Sequence, residues 1–142
     1  MADRGIVAVF GSMNMDLSVA CERIPRAGET VGGSGFITNA VRMGACTCMI
    51  GAVGRDTFGD ALVVGLQDAG VDCDFVVHRD DVETGTATII RCESDNRIIL
   101  SPGANHALAG GDVVCALRRL VVHEFDGDAS EIAPAAGSVF IA

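Results

Sequence analysis

Apolar and polar positions divide this chain into short buried-type runs, alternating stretches and two amphipathic helices. Gly5 to Phe10 is a Val- and Ile-rich run of the kind buried on both faces of a sheet, and Gly11-Ser12 ends it. From Met13 the pattern alternates strictly. Met13, Met15, Leu17 and Val19 point one way, and Asn14, Asp16, Ser18 and Ala20 the other. Glu22 to Glu29 is turn-rich, and Thr30 to Thr38 reads as a peripheral strand weakened by Gly32, Gly33 and Gly35. Cys46 to Val53 is a further apolar strand. Phe58, Ala61, Leu62, Gly65, Leu66 and Ala69 then form one apolar stripe at helical spacing, with Asp56 or Thr57 as cap and Gly70 as stop. Phe75 to His78 is a short strand. Thr84 to Cys92 and Arg97 to Leu100 are two β-rich runs joined as a hairpin through Glu93-Ser94-Asp95-Asn96. Pro102 to Asn105 reads as a loop. Asp112 is placed to cap a helix holding Val113, Val114, Leu117, Leu120 and Val121. Phe125 to Ala136 reads as irregular, and Ser138 to Ala142 as a new apolar strand.

This order predicts an α/β sheet with a small β-rich appendage. The last residues form a buried-type strand with no successor. The 142 residues are therefore expected to be the front part of a longer domain.

Composition narrows the function classes. Hydrophobic residues make up 49% of the chain, which excludes a disordered segment. The apolar run near the N-terminus is too short and too soon interrupted for a signal peptide, so a cytoplasmic location is expected. Net charge is −9 and every basic residue is arginine, which argues against a nucleic-acid partner. Nothing reads as a membrane span. Without lysine there is neither a P-loop of the GKS or GKT kind nor a Schiff-base nucleophile. Cys21, Cys46, Cys48, Cys73, Cys92 and Cys115 form no C-x-x-C pair and read as small buried apolar residues. His78, His106 and His123 are scattered, without metal-ligand spacing.

Candidate chemistry begins with Asn14 and Asp16. Two residues apart on a strand, they stand on one face roughly 7 Å apart. A carboxylate can bridge vicinal hydroxyls, and an amide offers both a donor and an acceptor. The alternative reading is a pair of polar residues on a half-exposed strand. Gly54 to Asp60 follows a strand and opens a helix, where anions bind. Its acidic residues favour the alternative, a tight turn and a helix cap. No G-x-G-x-x-G is present, so a dinucleotide site is poorly supported.

Three segments together resemble the ribokinase-like (PfkB) carbohydrate kinases: GSMNMDL at Gly11 to Leu17; PRAGET at Pro25 to Thr30 with GAVGRDTFGDAL at Gly51 to Leu62; and TGTATII at Thr84 to Ile90 with SPGAN at Ser101 to Asn105. The resemblance extends to about Leu108 and implies a partial, Rossmann-like three-layer α/β sheet with a small β-rich lid. It implies that Asp16 accepts hydrogen bonds from sugar hydroxyls, assisted by Asn14. It also implies that the β-rich strands, about 14–38 and 84–101, form a lid, with Ala87 and Leu100 packing on the sugar's apolar face. For these two the alternative is ordinary hairpin packing. The reaction implied is ATP- and Mg2+-dependent phosphorylation of a sugar, D-ribose in the first place, and a homodimer through the lid strands is a further implication.

The departures matter equally. Such kinases carry a Gly-Gly-Lys-Gly-Ala-Asn-type segment opening a long helix after the lid strand. Here Phe36-Ile37-Thr38-Asn39 runs directly into Ala40-Val41-Arg42-Met43-Gly44. A parallel crossover needs about ten residues or more, so either the connection is a tight turn that changes the local topology or an internal segment has been lost; Arg42 to Ala45, which resembles the tail of that helix, favours loss. The family's catalytic Gly-Ala-Gly-Asp motif and nucleotide pocket have no counterpart either. No residue here is identifiable as binding ATP or a metal. Since phosphoryl transfer rests on positioning and electrostatics, this chain alone is expected to be inactive. Two other outcomes stay open: a non-catalytic sugar-binding or dimerisation module, and a degraded kinase fragment.

Overall fold

The computed structural model describes residues 7–39, 47–92, 95–124 and 140–141. The first four strands are β1 (Val7–Phe10), β2 (Asn14–Cys21), β3 (Gly33–Asn39) and β4 (Thr47–Gly54). They are followed by α1 (Thr57–Asp68), β5 (Val71–Arg79), β6 (Gly85–Cys92) and β7 (Asp95–Ser101). A 3-10 turn (Gly103–Ala107), α2 (Gly110–Glu124) and β8 (Phe140–Ile141) complete the chain. The irregular stretch expected over Phe125 to Ala136 and most of the short connection after Asn39 lie outside the described residues.

The strands form two sheets. One is parallel, ordered β5-β4-β1-β8; the other is ordered β3-β2-β6-β7. In the second, β2 and β6 run parallel at the centre, and β3 and β7 flank them antiparallel. The glycine-weakened β3 is an edge strand, as its composition predicts.

β4 explains the layering. All eight of its residues are buried, as a strand covered on both faces must be. Met49 and Val53 pack with Leu62 of α1 and with Met13 and Met15. Cys48 and Ile50 pack on the opposite side with Phe75 and Ala116 of α2. Helices therefore cover both faces of the parallel sheet, giving the expected three-layer α/β arrangement. Each large buried side chain here contributes about 1.5–3 kcal/mol relative to exposure.

Several local expectations change. β5 starts at Val71, four residues earlier than its apolar run suggested, because Asp72 and Asp74 face outward from a strand pairing with β4. Pro102 to Asn105 is not a loose loop; Gly103–Ala107 coils into a 3-10 turn. Asp112 does not occupy the cap position. Ala109 does, and the Asp112 carboxylate reaches back to accept from the Ala109 N–H at 2.9 Å. The cysteines are not uniformly buried. Cys48 is, but Cys21, Cys73 and Cys92 are half-buried and Cys115 is exposed. In the β2–β3 turn, Gly28 takes φ 75°. There Glu29 accepts hydrogen bonds from the Arg23 guanidinium and the Arg26 N–H, which lower its pKa to about 2.

Candidate functional site

Register, which a single sequence does not reveal, decides what the second sheet presents. Asp16 of β2 lies opposite Ala87 of β6, and Ala87 lies opposite Leu100 of β7. Residues opposed across neighbouring strands project to the same face, with strands about 4.8 Å apart. Asp16, Ala87 and Leu100 thus form one row, with Leu100 roughly 10 Å from Asp16. Asn14, two residues earlier on β2, shares that face and lies opposite Gly85. All four sequence-predicted positions are brought together on one surface. They differ in exposure: Ala87 is buried (7%), Leu100 is open (58%), and Asn14 and Asp16 are intermediate.

Asn105 fastens the turn that follows β7 to the start of β2. Its Oδ1 accepts from the Met13 N–H at 2.7 Å, and its Nδ2 donates to the Met13 carbonyl at 3.1 Å. The side-chain amide thereby pairs with Met13 as a neighbouring strand would. Nδ2 also donates to Asn14 Oδ1 and to the Pro102 carbonyl, each at 2.9 Å. Three acceptors face two hydrogens, so one hydrogen is shared between two of them. The arrangement needs Gly85: a Cβ there would collide with Asn105 Nδ2, Asn14 Oδ1 and the Pro102 carbonyl. The turn carrying Asn105 is itself anchored, since the Ala104 N–H donates to the Glu83 carbonyl at 2.8 Å. Sequence reading singled out SPGAN as a motif but missed this role, because the contact spans 92 positions.

A second junction ties the start of β6 to α1. Asp56 Oδ1 accepts from the Gly59 N–H at 2.8 Å, the N-cap bond expected of it, and from the Thr84 hydroxyl at 2.7 Å. Its Oδ2 accepts from the Thr84 N–H at 2.8 Å. Thr84 Oγ1 in turn accepts from the Gly54 N–H at 2.9 Å. Burial raises the Asp56 pKa, but hydrogen bonds from Thr84, Gly59 and Phe58 outweigh it and hold the carboxyl below its ordinary value. The Gly54–Asp60 segment is therefore a turn, a cap and a junction.

Among the described residues, no group of three or more His, Cys, Asp or Glu is arranged to hold a metal ion. No described helix is long and apolar enough to cross a membrane.

The chain is thus a three-layer α/β unit with a separate small sheet that presents a carboxylate and an amide side by side. Residues 6–123 match the model of the pfkB family of carbohydrate kinases, and the chain belongs to that family. Among its relatives is the ribokinase of Bacillus subtilis, 36% identical over 125 residues, which cover 80% of this chain and 43% of the relative. The ribokinase of Schizosaccharomyces pombe is 38% identical over 117 residues, covering 70% and 37%. The chain thus spans less than half the length of these relatives. Among solved structures, ribokinase from Giardia lamblia superposes with a TM-score of 0.70 at 29% identity, over 84% of this chain and 39% of that one. Arabidopsis thaliana ribokinase complexed with ribose and ATP gives 0.61 at 28% identity, over 72% and 38%.

Proposed function

We propose that this chain supplies the sugar-gripping side of a carbohydrate kinase whose acceptor is D-ribose. The observation carrying the proposal is the row Asp16–Ala87–Leu100 with Asn14 beside it. Asp16 offers two acceptor oxygens to neighbouring sugar hydroxyls. Asn14 Oδ1 is already engaged by Asn105, so Asn14 offers its Nδ2 as a donor. Ala87 is the floor of the row, and Leu100 supplies an apolar surface for the C–H face of the ring. Both polar residues sit on a central strand, which holds them more tightly than a loop would. The second sheet is, on this reading, the lid of the sugar site.

In the parent reaction ATP with Mg2+ is the phosphoryl donor. The residues that would act at the phosphate are not among those this chain shares by motif with the family. These 142 residues alone are expected to release no ADP from ATP and ribose. A location in the cytoplasm fits a sugar kinase.

A second reading has a specific observation behind it. Ile98, Ile99 and Leu100 are more than half exposed on β7, an edge strand of the second sheet. Such an edge suits pairing with a second copy of the lid. Calorimetry with ribose separates the readings. Heat of binding that vanishes in Asp16→Ala supports the sugar site. Absence of binding in the parent chain, together with dimerisation by sedimentation, supports an interaction module instead.

A further inference from the structure

At the far end of the second sheet from Asn14, Cys21 of β2 and Cys92 of β6 are register partners on the two central, parallel strands. Their sulfur atoms are 2.9 Å apart. A disulfide bond measures about 2.05 Å and needs Cα atoms about 4.4–6.8 Å apart. Partners on neighbouring strands are separated by about 4.8 Å, so the backbone already meets that requirement. Bond formation asks only for a small rotation of two side chains. Both thiols are half-buried, and neither is sealed in the core. Cys21 and Asp16 are five residues apart on an alternating strand, so the pair lies on the face opposite the Asn14–Asp16 row.

We propose that Cys21 and Cys92 are a redox-reactive pair that closes into an intrachain disulfide, fastening the two central strands of the small sheet. The oxidant is a low-molecular-weight disulfide such as oxidised glutathione. The Cys21 thiolate attacks one sulfur of that disulfide, breaking its S–S bond and releasing one glutathione thiolate. The Cys92 thiolate then attacks the Cys21 sulfur of the mixed disulfide, forms the Cys21–Cys92 bond and releases the second glutathione. Two electrons pass from the cysteines to the oxidant, and the two thiol protons end on two glutathione molecules. The Cys92 thiol is pushed up to about 11, first by its hydrogen bond with Cys21, with burial and the Cys21 charge adding to it. The leading cause disappears once Cys21 is held in the mixed disulfide, which frees Cys92 for the second step.

The bond would join residues 71 apart in sequence. Closing so long a loop restricts the unfolded chain, with an expected rise in Tm on the order of 10 °C. The test uses the full chain carrying Cys115→Ser, to remove the exposed thiol, equilibrated with reduced or oxidised glutathione. Remaining thiols are alkylated and peptides mapped without reduction. The expected result is a linked Cys21–Cys92 peptide, a loss of two hydrogens in intact mass, and a Tm rise reversed by dithiothreitol and absent in Cys92→Ser. Alkylation of both thiols after oxidation would overturn the proposal. So would cross-links joining other cysteines while these two stay free. The mapping is done on the folded parent, so it stands even if Cys92→Ser folds poorly.

Discussion

Truncating Asn105 to alanine tests how the turn after β7 is fastened to the start of β2. The substitution removes the acceptor of the Met13 N–H and the donor to the Met13 carbonyl, Asn14 Oδ1 and the Pro102 carbonyl. An unsatisfied, part-buried backbone donor costs about 1–3 kcal/mol, and each further hydrogen bond contributes about 0.5–1.5 kcal/mol net. The bonds share one side chain and do not add fully, so the expected loss is about 3 kcal/mol. Urea titration followed by circular dichroism measures it, and the matching fall in Tm is roughly 10 °C. Asn105→Asp sharpens the test. It keeps an acceptor for Met13 but cannot donate, and it sets a carboxylate beside three acceptor oxygens. It should be about as damaging as alanine. Asn96→Ala, on exposed β7, is the control and should stay within about 0.5 kcal/mol of the parent. If Asn105→Ala unfolds within about 0.5 kcal/mol of the parent, the bracing role assigned to Asn105 is wrong.

The remaining predictions concern the same junctions. Asp56→Ala should cost about 3 kcal/mol in thermal unfolding, from a lost N-cap and two charge-assisted bonds to Thr84. Because the folded Asp56 pKa is depressed, its contribution is complete above about pH 4 and is lost as pH falls through the folded value. The gap between parent and Asp56→Ala should therefore narrow on acidification, and a gap that widens would contradict the assignment. Gly85→Ala should weaken ribose binding about tenfold in calorimetry and destabilise the chain by about 1–3 kcal/mol, because its methyl group displaces Asn14 and Asn105. Gly110→Ala, where a Cβ meets nothing within 4 Å, should change neither.

Much of the fold was legible because it follows from periodicity. The stripe from Phe58 to Ala69 marks α1, and Asp56 and Gly70 mark its limits by cap and positive-φ chemistry. The unbroken apolar run of β4 announces a strand covered on both faces. The start of β5 was hidden because Asp72 and Asp74 are poor strand formers alone, and pairing with β4 overrides that preference. In β2 the simple inward–outward reading fails at Ser18, which is buried on the face assigned to polar residues.

The candidate site was legible in its residues but not in its geometry. Asn14 and Asp16 stand out by alternation. That Asp16 shares a row with Ala87 and Leu100 depends on the register of a parallel pairing across 71 positions, which no local pattern encodes. The same register places Cys21 against Cys92, two residues that composition alone read as buried filler. Asn105 was hidden for a related reason. Its side chain imitates a strand partner, and only the folded backbone of Met13 gives that mimicry something to pair with.

The central claim is that Asn14 and Asp16 grip a sugar on this face. A ribose titration of the isotopically labelled chain, followed by amide chemical shifts, tests it most directly. The expected result is saturable shifts at Asn14, Asp16 and Gly85 to Ala87, abolished in Asp16→Ala. Shifts confined to other strands, or none at ribose concentrations that saturate a ribokinase, would contradict it.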